Sequence, residues 1–505
     1  MAVGAAKGGS AGSRSSNPGW EAGMQTDYDI IIVGGGGAGM TAALHAHEAG
    51  ASVMILEADD KLGGATRLSG GVVYAAGTSV QEAQGITDSA QDMYDYIMTL
   101  NAWETRPDII RTFARRSADS VEWLIGLGAE YQWVVKSGVD TVPRGHCTVG
   151  AGDAIGRILV NAVGAKGIET ALNTRVERLL VNEDGRVVGV HASGIDLHAR
   201  TVILTTGGFG NSPGMRAKYF PSAAQHGDIV YAVHADAPFI LGDGITLGEA
   251  VGAAITGHDT GLVLPSAGLV PNSVEAFLPP WCMLVNDDGH RFMPENAPYA
   301  VSGYLINAQR NAHAWAIFDE TTLVAGSADK RFSDPYHTGE VSQTWDEDLI
   351  RRHAATGKVR TAPTLEALAD RIGVDRLALA ETTRRYNADA HAGADTEWDK
   401  QAPRYFPIEQ APYFAVEVRA SVIGQTSAGL DIDRTTRVRD SRGAVIPGLF
   451  AAGETVGCIQ GHRYSGGGMG VGNALTFGRI AGEEAAAEAL AAVSGQEVKK
   501  KACIL

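Results

Sequence analysis

Cysteine is scarce: four in 505 residues, at Cys147, Cys282, Cys458 and Cys503. None pairs as C-x-x-C or C-x-x-C-H, which excludes a zinc ribbon and an attached c-type haem and fits a reducing compartment. No metal is expected. No run of eighteen apolar residues occurs, so no membrane span is expected. Bases are the minority, 42 against 58 acids, for a net charge of −16. That balance argues against the basic footprint of a nucleic-acid binder. Residues 1–26, rich in Gly, Ala and Ser, lack the apolar core of a secretory signal and read as a flexible arm. At the other end Cys503 is third from last, where a prenylation box needs it fourth, so 493–505 reads as a solvated basic tail. A cytoplasmic location follows, at most peripheral to a membrane.

Glycine is what the chain has in excess, 64 residues, in short clusters without a G-X-Y period. Such clusters point to tight turns and close approach of backbone to a ligand. The length allows about two to four domains. No internal repeat is visible.

The richest local pattern lies near the start. Asp29-Ile-Ile-Ile-Val33 reads as a buried parallel strand. Gly34-Gly-Gly36-Gly-Ala-Gly39 follows as G-x-G-x-x-G, Met40–Ala49 reads as a helix stopped by Gly50, and Ser52–Leu56 is a second strand ending in Glu57. Gly34 makes the turn, Gly36 admits a pyrophosphate, and Gly39 lets helix and strand pack. The helix N-terminus offers free amides to phosphate, and Glu57 would accept ribose hydroxyls. Next comes Lys61–Gly71, where Gly64, Thr66, Ser69, Gly70 and Gly71 suit a backbone wrapped round a second nucleotide half and a flavin ring. Gly448–Glu454, a short strand ending in Gly453 and Glu454, suits a return of the C-terminal part to the nucleotide sheet. Residues 86–128 read as mostly helical, and Asp184-Gly185 joins two strands as a hairpin.

At these segments the chain, from Tyr28 to Leu490, resembles the FAD-dependent fumarate reductase and 3-ketosteroid dehydrogenase superfamily. The resemblance implies an α/β fold: a Rossmann-type FAD-binding domain in two parts, 27–261 and 426–492, with an inserted α+β catalytic domain at 262–425. It implies further FAD contacts from Val176, Gly207, Asp243, Asn473 and Leu475.

Gly461-His-Arg463-Tyr464-Ser-Gly-Gly-Gly468 and Thr476-Phe-Gly478 resemble the run of 3-ketosteroid 1-dehydrogenases. On that match Tyr464 and the Gly468 amide would polarise a ring carbonyl; a phenol near pKa ~10 is a neutral donor at pH 7. Asp288–Tyr299 resembles the superfamily's Gly-x-Arg-Phe-x-x-Glu strand and loop. Fumarate reductases carry an arginine acid at about Tyr299; ketosteroid dehydrogenases carry a tyrosine, which would remove the α-proton. Fumarate reductases also carry a histidine-rich segment where Gln425 and Thr426 stand. Against this, Arg144-Gly-His146 sits where fumarate reductases have Arg-x-His, and Arg463 precedes the site tyrosine; each is a candidate for a substrate carboxylate. Tyr131 is the candidate for the tyrosine that assists the base.

The expected activity is FAD-dependent α,β-desaturation of a cyclic ketone, with hydride passing to flavin N5 and on to an external acceptor such as a quinone. The substrate is a 3-ketosteroid or a smaller ring such as 4-oxocyclohexanecarboxylate. The alternatives are a reductase of an activated double bond and a non-catalytic flavin carrier.

Overall fold

The computed structural model describes residues 26–271, 278–327, 345–400, 406–457 and 459–502. The expected arm up to residue 25 and Cys503 therefore fall outside the described residues. Strand β1 (Tyr28–Val33) is the centre of the first sheet, because its Ile30-Ile-Ile-Val33 run is buried on both faces. It pairs in parallel with β2 (Val53–Leu56) on one side and with Ile195–Leu204 on the other. Outward from Ile195–Leu204 lie Val445–Ala451 and Arg437–Arg439, so the C-terminal part does return to the nucleotide sheet. The hairpin Val176–Val181 with Val187–Ala192 hangs from Ile195–Leu204, with Asp184-Gly185 at its turn, as read.

Helix α1 (Gly37–Glu48) follows β1 at once. It starts inside the glycine run, three residues before the expected Met40, because no side chain there obstructs the first turn. A Cβ on Gly39 would lie 1.9 Å from the Gly34 carbonyl oxygen, so only glycine lets α1 sit this close to its strand. Helix Met469–Ala502 packs along α1; its Gly478 and Gly482 lie against the Ala38 and Ala42 backbone. This helix continues to Ala502, so residues 493–502 extend it and do not form the separate tail expected.

The second sheet is built on Tyr413–Thr426, fourteen residues long. Gly261–Ser266, His313–Asp319 and Arg360–Ala362 pair with it antiparallel, and Met283–Val285 pairs with His313–Asp319. Tyr231–Ala232 joins in parallel. The sheet thus recruits residues thirty positions ahead of the expected 262–425 insert. A third, three-stranded sheet joins Val72–Tyr74, Gly145–Thr148 and Tyr131–Val135. The C-terminal ends of β1 and β2, the end of Tyr413–Thr426 and the start of Met469–Ala502 all border one space, described next.

Candidate active site

One continuous cavity of about 440 Å³ runs from Gly34, Gly36 and Glu57 to Tyr299 and Tyr464. Its first half is walled by backbone. Gly34, Gly36, Gly64, Gly70, Gly207 and Gly453 line it, with Thr66, Ser69 and Val176 between them. A Cβ on Gly36, Gly70 or Gly207 would meet no atom within 4 Å, so the room those glycines leave is open to a ligand. The N-termini of α1 and of Asp243–Ala250 face this half, without a side-chain cap on either. The Gly244 amide of the second of these helices donates to Thr206 Oγ1 at 2.8 Å, and the first-turn amides of α1 suit a pyrophosphate. Glu57 is buried and braces the loop: its carboxylate accepts from the Gly35 amide at 2.6 Å and from the Asp59 amide at 2.8 Å. Each carboxylate oxygen keeps a second acceptor site, so ribose hydroxyls can still be received. Arg175 is held by Asp243, both at the cavity wall.

At the far end two tyrosines meet. Tyr299 opens the helix Tyr299–Asn307, and Tyr464 lies in the glycine loop before Met469. Their ring centroids are 6.1 Å apart at 39°, and they are 8% and 6% exposed. Burial pushes the Tyr464 phenol up to about 12, against an opposite pull from the Gly468, Met469 and Gly470 amides that face its oxygen. It is therefore a neutral donor across ordinary pH. Gly468 has φ +98°, and a Cβ there would lie 2.8 Å from the backbone of Val72 and Tyr74. The loop is pinned from below. Tyr96 Oη donates to the Ser465 carbonyl at 2.7 Å, Ser137 Oγ to that of Gly467 at 3.1 Å, and the Tyr74 amide to that of Gly468 at 3.2 Å.

Four to eight residues before Tyr299, Glu295 and Arg291 belong to a buried ionic cluster that sequence reading did not assemble. Arg291 forks onto Glu295, both bonds 2.9 Å, and onto Asp395 at 3.0 and 2.7 Å. Lys400 reaches Glu295 at 3.0 Å. Against the cost of burial, Lys400 and Arg291 hold the Glu295 carboxyl below its usual range. Glu454 is half-buried at the cavity wall, and the burial it has raises its pKa. It accepts from the Thr426 amide and hydroxyl, both at 2.8 Å, which ties the end of Tyr413–Thr426 to the glycine turn at Gly453.

Several expected site residues stand elsewhere. Arg144 does not line the cavity; it is buried, forked onto Asp88 at 2.8 and 2.7 Å, with Asp140 at 3.7 Å, so no capacity is left for a substrate carboxylate. His146 is fully buried, with Nε2 2.7 Å from Thr78 Oγ1 and Nδ1 against the Val73 and Arg144 carbonyls. Burial lowers its pKa, which makes it a neutral structural imidazole. Tyr131 packs edge-on to His146 in the three-stranded sheet, away from the cavity. Arg463 lies over Tyr304 and reaches the Leu100 carbonyl at 3.3 Å, outside the cavity. Gly39 and Gly71 serve packing, Gly71 against Ala151. Asn473 and Leu475 are buried in the closing helix behind the lining Val471 and Ala474. The lining residues His234, Leu262, Leu264 and Ile423 carried no motif and were missed; they meet only through the second sheet and the turn before Asp243.

A glycine-walled cleft at the end of a parallel sheet, with helix N-termini on it and a phenol pair beyond, defines a flavin-dinucleotide oxidoreductase. A family profile described as FAD binding domain matches residues 29–471, and the chain belongs to that family. FAD is its cofactor. A fumarate reductase (cytochrome) of Shewanella frigidimarina is 31% identical over 91% of this chain and 77% of its own length. A 3-oxosteroid 1-dehydrogenase of Mycolicibacterium smegmatis is 25% identical over 93% and 99%. The crystal structure of 3-ketosteroid-Δ4-(5α)-dehydrogenase from Rhodococcus jostii with 4-androstene-3,17-dione is similar at TM-score 0.74 and 26% identity, over 92% of this chain and 98% of that one.

Proposed function

We propose that this FAD-dependent oxidoreductase removes hydrogen from the α and β carbons of a cyclic ketone. The observation that carries this reading is the Tyr299–Tyr464 pair in a cavity end without a cation. Among the described residues the only Lys or Arg lining the cavity is Arg175, which Asp243 holds beside Glu57 at the other end. A dicarboxylate would need charge-assisted donors at the far end; a ketone needs neutral ones. The wall there is Leu262, Leu264, Ile423 and Val471, which suits an alicyclic ring. Tyr464 and the Gly468 amide hold the carbonyl oxygen and take up the charge that grows on it. Tyr299, as the phenolate or through a relay that carries its own proton away, receives the α-proton. Bound FAD supplies the acceptor for the β-hydride, and an external acceptor such as a quinone then takes the two electrons. With Arg144 and Arg463 outside the cavity, support falls on neutral rings, a 3-ketosteroid or a cyclohexanone, ahead of 4-oxocyclohexanecarboxylate.

A second reading is favoured by one observation, the 31% identity to a fumarate reductase: the same cleft would then reduce an activated double bond. One anaerobic experiment separates them. The purified yellow protein is mixed with androst-4-ene-3,17-dione, its 5α-reduced analogue, cyclohexanone or 4-oxocyclohexanecarboxylate, and flavin absorbance is followed. Bleaching by a neutral ketone is expected. No bleaching by any of the four, with rapid reoxidation of dithionite-reduced enzyme by fumarate, would transfer the assignment to the reductase.

A further inference from the structure

Arg463 precedes the site tyrosine in sequence but lines no part of the cavity, and the reaction as described leaves it without a task. The fold gives it a partner. Its guanidinium stands 4.7 Å from the centroid of the Tyr304 ring, with Nη2 3.5 Å from Tyr304 Oη. Its Nη1 donates at 3.3 Å to the carbonyl of Leu100, the last residue of the helix Ala90–Leu100, and its main-chain amide donates to Asn101 Oδ1 at 2.9 Å. A helix C-terminus favours a cation, so the arginine is already aimed when it meets the ring. Gly461 makes room for this seat: a Cβ there would lie 2.4 Å from Asn101 Oδ1.

The two partners belong to the two segments that carry the tyrosine pair. Tyr304 is five positions after Tyr299 on the helix Tyr299–Asn307, which is about 140° round it at 3.6 residues per turn. Tyr299 therefore turns inward and is buried, while Tyr304 turns outward and is 37% exposed. Arg463 and Tyr464 divide in the same way across the glycine loop, the first half-buried and the second buried. The inner pair is Tyr299 with Tyr464, ring centroids 6.1 Å apart, and the outer pair is Tyr304 with Arg463. The helix Tyr299–Asn307 is seated hard on the second sheet, since a Cβ on Gly303 would lie 2.1 Å from the Val263 carbonyl oxygen. The outer pair thus bridges from the second sheet to the glycine loop and the end of Ala90–Leu100.

We propose that Arg463, acting through Tyr304, is a positioning residue. It holds the helix that begins at Tyr299 against the loop that carries Tyr464, and so sets the separation between proton acceptor and carbonyl donor. This rests on the ketone reading, in which both tyrosines must reach one substrate at once. The α-proton and the carbonyl oxygen lie at a fixed distance in the ketone, and a misplacement of ~1 Å can cost about 100-fold in rate.

The test uses the FAD-loaded protein and two readouts. The first is bleaching by whichever of androst-4-ene-3,17-dione or cyclohexanone reduces the wild-type flavin. Arg463→Met and Tyr304→Leu should each retain FAD, lower the limiting rate about 10-fold and leave half-saturation within about twofold, because Tyr464 still holds the carbonyl. The double variant should be no slower than the slower single, since both remove one contact. Arg463→Lys and Tyr304→Phe keep a cation over a ring and should regain most of the rate. The second readout is amide hydrogen exchange without ketone. Residues 299–307 should exchange about 2- to 5-fold faster in Arg463→Met and in Tyr304→Leu, the worth of one exposed cation–ring contact. An arginine that only anchors the loop at Leu100 would leave Tyr304→Leu at the wild-type rate or make the two losses additive, and either result overturns the proposal. A half-saturation that rises in Arg463→Met while the limiting rate holds also overturns it, because that marks a binding residue. If wild type bleaches with no ketone, the ketone reading fails, and exchange at 299–307 then decides the contact alone: faster in both variants upholds it, and unchanged in either overturns it.

Discussion

Tyr464 works as a donor because of where its oxygen lies. A free phenol loses its proton near ~10; burial moves Tyr464 up to about 12 in spite of the helix amides pointing at it. Two consequences follow. Tyr464→Phe removes the hydroxyl and leaves the ring in its packing against Tyr299, so FAD retention should be unchanged while the anaerobic bleaching rate falls about 100-fold. Unchanged bleaching would remove Tyr464 from the reacting atoms. In wild type, ketone affinity should stay flat from about pH 7 to about pH 10, since Tyr464 keeps its proton through that window. Weakening with a midpoint at the ordinary phenol value would show that the side chain is not desolvated as the fold requires. Tyr299→Phe tests the other half: α-proton exchange in deuterated water should all but stop, and persistence would place the base elsewhere.

The loop that carries Tyr464 has no regular structure of its own and depends on three elements beneath it. Tyr96, from the helix Ala90–Leu100, holds the Ser465 carbonyl. Tyr74 and Ser137 hold Gly468 and Gly467. Tyr74 in turn donates to Asp140 at 2.8 Å, and Arg144 lies across Asp140, Asp88 and the Tyr96 ring. Arg144→Met would leave Asp88 buried beside an empty place, and breaking a buried pair in this way typically costs about 3–5 kcal/mol. The variant should therefore show a clearly lower Tm and a raised KM for ketone; an unchanged Tm would mean the pair is not buried as described. The sequence showed Arg144 but not this role. The strand, glycine turn, helix and acid of the nucleotide end were legible because they are contiguous and each constrains the next. Tyr299 and Tyr464 were legible because each sits in a motif with a fixed spacing. Arg144, His146 and Tyr131 were misplaced because they sit in or beside a small sheet whose existence no local pattern announced: Asp88 lies 56 positions from Arg144, and Thr78 and Val73 lie 68 and 73 positions from His146. The Arg291–Glu295–Asp395–Lys400 cluster was hidden for the same reason, since residues a hundred positions apart share it.

Across the whole molecule the buried titratable groups set a pH dependence of stability. His45, His146, His226 and His234 all have pKa values lowered, chiefly by burial. The unfolded chain takes up protons on these imidazoles near ~6.5 and the folded chain does not, so each lowers stability as pH falls below that value. His313 acts in the opposite sense. A hydrogen bond with Glu417 raises its pKa, so its contribution is present below ~6.5 and is lost as pH rises through the folded value. One such group stands against four. At lower pH the carboxylates add to the loss: Asp395, held at about 2 by Arg291 despite partial burial, and Glu417, held at about 2 chiefly by His313, are stabilising above ~4 and cease to be as pH falls toward 2. Asp140 and Glu454, raised by burial, bind protons more readily when folded and offset part of that loss. Neutralising a net charge of −16 also relieves self-repulsion, but salt screens that term and leaves the buried groups in place. With FAD saturating and ionic strength near 0.15 M, Tm should be level between about pH 8 and 7, decline between about 6.5 and 5, and drop more steeply below about 4. His146→Gln should flatten the middle segment relative to wild type, because the replacement cannot take up the proton that the unfolded chain gains. A Tm that climbs steadily from pH 7 to 5 would mean that these imidazoles are charged in the fold, and the description of His146 as a neutral group between Thr78 and two main-chain carbonyls would have to be abandoned.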